Sequence, residues 1–150
     1  MTENQLINLI RVLIDDSKTG LLITGTESSP DARWMTPSII DSRPGKLYAV
    51  TSKRFAKIGQ LEKNPNTTWM LQSRLLDKIA KIKGKTSIID DASLMQEVLD
   101  HVMNRLSVFW KINQDETSLI ILETHIESAD IFYPLKGEKY KYTDKETKDE

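Results

Sequence analysis

The chain has 150 residues, enough for one domain with its own core. Lys and Arg number 21 against 22 Asp and Glu, and a formal charge of −1 removes any global electrostatic reason to bind nucleic acid or an anionic membrane. There is no cysteine, which excludes disulfides, thiolate metal sites and cysteine nucleophiles, and no apolar run approaches the roughly 20 residues that span a bilayer.

Met1-Thr2-Glu3-Asn4-Gln5 lacks the basic region and cleavage site of a signal peptide, so a cytoplasmic location is expected. Thr2 to Ser17 is predicted helical, with Leu6, Ile7, Leu9, Ile10, Leu13 and Ile14 on one stripe and a capping box between Thr2 and Gln5. Gly20 breaks the pattern, and Leu21 to Thr26 is a short buried strand. Arg33 to Ile40 and Lys46 to Thr51 are predicted strands of a hairpin turned at Arg43-Pro44-Gly45. A short helix is expected from Arg54 to Lys63, ended by Asn64-Pro65. Thr67 to Leu71 and Lys78 to Ile89 are strands, the second interrupted at Gly84. Asp90-Asp91 caps a helix whose stripe runs Leu94, Met95, Val98, Leu99, Val102, Met103 and Leu106. Two strand pieces follow, Ser118 to Thr124 and Ala129 to Tyr133, and then a polar stretch.

Six or seven short strands and three helices that do not alternate βαβα argue against a doubly wound parallel sheet. The expected class is mainly β (α+β): an antiparallel sheet curled into a barrel with flanking helices. One domain over 1–135 and a mobile polar tail over 136–150 complete the expected organisation.

One local feature points to chemistry. Thr51-Ser52-Lys53-Arg54-Phe55-Ala56-Lys57 sits where a strand hands over to a helix. Thr and Ser are ordinary caps there, but three cations oppose the helix dipole by roughly 0.3–1 kcal/mol each when exposed. An anion held at that terminus, a phosphate above all, reverses the sign. A solvated basic helix start is the equally open alternative. No metal site is expected: His101 and His125 are far apart and read as surface or satisfied core positions. Trp69 and Trp110 read as core or interface anchors, Asp90 and Asp91 as caps, and the Lys78, Lys81, Lys83 and Lys85 strand as a solvated face.

Three segments in order carry a resemblance: Ala32-Arg33-Trp34-Met35-Thr36-Pro37; Lys46-Leu47-Tyr48-Ala49-Val50-Thr51-Ser52; and Lys57-Ile58-Gly59-Gln60-Leu61-Glu62-Lys63-Asn64-Pro65. Lys83-Gly84-Lys85, the Asp90-Asp91 helix start and Ala129-Asp130-Ile131-Phe132 continue the register. Together they resemble the pyridoxamine phosphate oxidase-like superfamily, its general stress protein branch most of all, over about residues 5 to 133. The resemblance implies an FMN-binding split β-barrel that forms a homodimer with the flavin at the subunit interface. Arg33, Thr51 and Lys57 would lie near the phosphate and ribityl chain, with Val50 and Ser52 beside them. The backbone of Trp34, Met35 and Thr36 would face the ring edge, and Phe132 falls where many relatives place a tryptophan close to the ring.

This chain departs from the family at two places. Phe55-Ala56-Lys57 stands where relatives often have Ser-Arg-Lys, so two phosphate ligands are absent, with Lys53 or Arg54 as candidate replacements. The Arg-x-His element that grips pyridoxine phosphate in the true oxidase is missing beyond Tyr133, so vitamin oxidation is not expected. The implied function is a flavin-dependent oxidoreductase of unknown substrate, with no general acid or base evident. Alternatives are a non-catalytic flavin-binding or stress-related module, a dimer without cofactor, or a relative binding deazaflavin or haem.

Overall fold

The computed structural model describes residues 1–52, 57–102 and 119–144, with Lys57 and Ile58 described by their backbone alone. The expected helix start at Arg54, the stripe positions Met103 and Leu106, and Trp110 lie outside those residues. Helix α1 (Glu3–Ser17) begins at the predicted capping box, where the Gln5 amide donates to the Thr2 hydroxyl and the Thr2 amide to the Gln5 side chain. Its stripe of Leu6, Ile7, Ile10, Leu13 and Ile14 is buried against the sheet interior, around Leu22, Trp69 and Ile82.

Seven strands among the described residues follow: β1 (Gly20–Gly25), β2 (Pro30–Met35), β3 (Lys46–Ser52), β4 (Asn66–Gln72), β5 (Ile79–Ile89), β6 (Leu119–Tyr133) and β7 (Glu138–Thr143). Helix α2 (Lys57–Lys63) links β3 to β4, and α3 (Ala92–Val102) follows β5. Every pairing is antiparallel, in the order β2-β1-β4-β5-β6-β3 with β7 added to β6. The ends of this order meet where the chain leaving β2 reaches β3: the Ser38 and Tyr48 amides each donate to the other's carbonyl at 2.8 Å. One such bridge makes the closure a seam rather than a ladder. The predicted antiparallel split barrel is thereby observed.

Leu94, Val98 and Val102 of α3 cover a second core cluster on the outer face of β3 and β6, with Ile40, Tyr48, Val50 and Ile121. Asp91 caps this helix, accepting from the Leu94 amide. Four elements depart from expectation. Strand β2 stops at Met35 instead of Ile40, since Pro37 has no N–H to donate to a ladder. Strand β5 runs unbroken through Gly84, where the register shifts, and a Cβ there would stand 2.1 Å from the His125 carbonyl oxygen. The two expected pieces of β6 are one strand, bulged between His125 and Ser128. The expected tail from Lys136 contributes β7, whose Tyr142 packs on the core.

Inside the barrel a line of hydroxyls crosses three strands. The Trp69 indole N–H donates to Thr124 Oγ1 at 3.0 Å, and Thr124–Thr86 and Thr86–Thr67 are each 2.7 Å apart. A donor-only indole at one end and the Gly84 carbonyl, 3.5 Å from the Thr67 hydroxyl, at the other let each hydroxyl accept once and donate once.

At the start of β3 a buried carboxylate performs the equivalent task. Glu123 on β6 is 8% exposed and accepts from the Tyr48 hydroxyl at 2.6 Å, Lys46 at 3.0 Å and Arg43 at 3.2 Å. Burial alone would raise its pKa; the Tyr48, Lys46 and Arg43 donors outweigh it and hold the carboxyl below its ordinary 4.5. Burial, then the bond to Glu123, pushes the Tyr48 phenol up to about 12.

Two predictions follow for urea denaturation. Thr86→Val keeps the shape but takes one hydrogen-bond partner from each of the buried Thr67 and Thr124 hydroxyls, so it should cost about 1–3 kcal/mol, whereas Thr68→Val on β4 should stay within about 0.5 kcal/mol. Glu123→Gln should cost about 1–3 kcal/mol at neutral pH, because it leaves Lys46 and Arg43 without their counter-charge. A depressed carboxyl pKa contributes stability that is present above 4.5 and lost as pH falls below it, so the gap between wild type and Glu123→Gln should shrink in acid. The raised Tyr48 pKa contributes stability present below 10 and lost as pH rises toward 12. A gap that stays constant into acid would show that Glu123 is not held as a carboxylate.

Candidate functional site

The seam between β2 and β3 gathers most of the residues that the sequence singles out. Extended beyond the single Ser38–Tyr48 bridge, the antiparallel register would set Thr36 opposite Val50 and Met35 opposite Thr51, so the Thr36 and Thr51 side chains belong to opposite faces of the seam. Met35, Thr36, Val50, Thr51 and Ser52 are all buried there, at the end of β3 that leads toward α2. Two of their hydroxyls, Thr36 Oγ1 and Thr51 Oγ1, are buried and have no hydrogen-bond partner among the described residues. An unsatisfied buried polar group costs roughly 1–3 kcal/mol, so each of the two is a candidate contact for a group from outside the chain.

The other candidates are distributed by the pleat. Arg33 pairs with Leu22, which in turn pairs with Trp69, so its side chain belongs to the inward row; its Nη1 is buried and the residue makes contacts within the chain. Trp34, one residue on, faces outward and is 54% exposed. Met35 is in the barrel core, Val50 lies under α3, and Ser52 is buried and already engaged. Lys57 is the first residue of α2, but its side chain lies outside the described residues, as do Lys53 and Arg54.

Phe132 is not at the seam of its own chain. Thr51 pairs with Ile120 at one end of β6, and Phe132 stands at the other end, beneath the Lys139 ammonium at 5.6 Å. Roughly 40 Å of extended strand separates the two levels.

Sequence reasoning missed the Arg43, Lys46, Tyr48 and Glu123 cluster at the far end of β3. Only Glu123 carried a signal, as an acidic residue inside the apolar run Ile120-Ile121-Leu122. The two histidines are both engaged, His101 with the Glu97 carbonyl and His125 with Asp144, and neither is on β2 or β3. Among the described residues no group of His, Cys, Asp and Glu could hold a metal ion, and no helix is long and apolar enough to cross a membrane.

The fold has known counterparts. General Stress Protein 26 from Bacillus anthracis superposes with a TM-score of 0.64 at 23% identity, over 92% of this chain and 99% of that one. A pyridoxamine 5'-phosphate oxidase-related, FMN binding protein from Nostoc punctiforme gives 0.61 at 13% identity, over 91% of this chain and 95% of that one. A heme binding protein from Mycobacterium smegmatis gives 0.69 at 13% identity, over 95% of this chain and 58% of that one. At these identities the likeness establishes the fold. Among curated proteins no match is found. The family model described as pyridoxamine 5'-phosphate oxidase like matches residues 5–145, nearly the whole chain, including both strands of the seam and β7. The chain belongs to the pyridoxamine 5'-phosphate oxidase-like family.

Proposed function

We propose that the protein binds FMN at the β2–β3 seam and works there as a flavin-dependent oxidoreductase. The observation that carries this reading is the pair of buried, unsatisfied hydroxyls of Thr36 and Thr51, on segments that the family resemblance assigns to the flavin. A ribityl chain and phosphate offer the acceptors and donors those hydroxyls lack. Arg33, with its guanidinium reaching the same interior, is a planar donor suited to a phosphate, and Lys57 would add a point charge at the start of α2. When bound, the flavin would supply two-electron redox chemistry between a reduced nicotinamide and an acceptor. The chain's own contribution is to bind, orient and shield it. No histidine or carboxylate stands among Met35–Thr36 and Val50–Ser52, so these residues bring no general acid or base.

The reading includes a second copy of the chain. Phe132 and Ile120, the partner of Thr51, sit at opposite ends of β6, too far apart for one ring system to touch both, whereas a two-fold related partner could bring its Phe132 to this seam. The outward row Trp34–Leu21–Met70, continuous across β2, β1 and β4, offers a partly exposed apolar face for that partner. A haem reading finds support in the Mycobacterium smegmatis neighbour, but no histidine of this chain lies on β2 or β3 to ligate it.

The test is an absorption spectrum after loading with FMN and desalting, with the mass in solution measured alongside. About one retained flavin per chain on a dimer is expected, with saturable oxidation of a reduced nicotinamide; retention without turnover would make the protein a flavin-binding module. Thr51→Val should weaken FMN about tenfold while stabilising the flavin-free protein by about 1 kcal/mol, since it removes an unsatisfied hydroxyl. Undiminished FMN affinity in Thr51→Val would remove the seam as the site.

A further inference from the structure

At the end of β3 away from the seam, β6 changes partner. Its edge pairs with β3 up to Lys46–His125 and with β7 from Ser128–Thr143 onward, and the Asp144 amide bonds to Glu127 between them. The resulting notch is roofed by the first turn of α1 and holds a cleft of about 270 Å³. That volume is at the small end of ligand pockets, roughly 300–1,000 Å³, and suits a molecule much smaller than a flavin. Its walls are mainly apolar, with Leu6, Ile7, Pro44, Ile126 and the Tyr142 ring along its length.

Charges of both signs line this one cleft. Arg43 and Lys46 line it and share the single carboxylate of Glu123 behind them, which leaves one positive charge in excess. Arg43 gives Nη1 to Glu123, its side chain is nearly half exposed, and it lines the cleft. Glu3 and Asp144 line the same cleft. Asp144 holds the His125 ring at 3.1 Å, and Glu3 Oε1 lies so near Gly45 that a Cβ there would stand 2.9 Å from it. Both carboxylates act on Tyr142: after burial, they are what raises the phenol above its ordinary 10.0.

We infer that this notch binds a small zwitterion with an apolar side chain, an α-amino acid, its carboxylate on Arg43 and Lys46 and its ammonium on Glu3 and Asp144. An anion alone would meet two carboxylates, and a cation alone two cationic side chains. A molecule carrying both charges at one end of an aliphatic body satisfies each wall and fills the apolar floor. The site stands apart from the flavin reading, because every lining residue is remote from Thr36 and Thr51 along the strands that carry them.

The experiment is calorimetric titration of the full chain with L-leucine, with 4-methylpentanoate, which lacks the amine, and with 3-methylbutylamine, which lacks the carboxylate. Leucine should saturate below about 1 mM and each analogue should bind at least about tenfold more weakly. Glu3→Gln, at an exposed position, should weaken leucine at least about tenfold and leave 4-methylpentanoate unchanged. Arg43→Gln should weaken leucine similarly and leave 3-methylbutylamine unchanged. This crossed pattern separates a lost contact from a damaged fold, which would weaken all ligands together. No saturation up to about 10 mM leucine, or an analogue binding as tightly as leucine, would overturn the proposal.

Discussion

One edge of β6 is occupied by β5 along most of its length, and its other edge is divided between β3 and β7. β5 follows β6 through its bulge, whereas β3 and β7 each pair with only part of the other edge. The bulge is fixed by Gly84, the residue that lets the two backbones come so close. From that one pairing come both discontinuities in the barrel. The notch opens where β6 exchanges β3 for β7. The seam opens at the outer side of β3, which has one full ladder to β6 and only the Ser38–Tyr48 bridge to the chain leaving β2. Elsewhere the ladder claims the backbone groups and the core claims the side chains; at these two gaps it does not.

The threonines show how selectively the interior is satisfied. Thr67, Thr86 and Thr124 pass hydrogen bonds from Trp69 to the Gly84 carbonyl. Thr36 and Thr51, equally buried, receive none from the described residues. A barrel able to line up three hydroxyls across three strands is able to satisfy two more, so the pair at the seam is a local exception of the kind that functional sites tolerate at a cost in stability. Val50 and Ser52 point to the α3 side of the same strand, which leaves Thr51 alone in presenting the end of β3 to the interior.

Much of the fold was legible because its signals are local. The Thr2–Gln5 box, the stripes of α1 and α3, and the Asp91 cap each lie within a few turns of sequence. The misread elements depend on distant partners. The region of His125, Glu127 and Ser128 looked like a break in β6, because its polar residues answer to Lys85, Asp144 and Lys83 on other strands. Strand β7 looked like a tail because its Lys and Glu residues face solvent; the alternation of Tyr140 and Tyr142 with lysines was the overlooked strand signature. At the site, residue types and order suggested Thr36 and Thr51 through resemblance, but nothing in the sequence shows that both hydroxyls go unsatisfied. The Glu123 cluster was beyond reach altogether, since its donors lie 75, 77 and 80 residues away.

The two ends of β3 therefore stand under opposite constraints. At Lys46 and Tyr48 the strand is fastened by a ladder on one side and by a buried carboxylate with three donors. At Thr51 it keeps the ladder to β6 and faces an unfilled hydrogen-bonding demand. Arg43, which helps to fasten the first end, lies in the loop between Ser38 and Lys46, so the same carboxylate also restrains the segment whose bridge sets the seam. Arg11 adds a second tie to that loop through Asp41, but both partners are exposed and such a pair contributes little. The weight falls on Glu123. It fixes where the loop returns to the sheet, and with it the level at which Thr36 comes opposite the end of β3. Positioning at the seam is thus supplied by a group at the notch end of the strand.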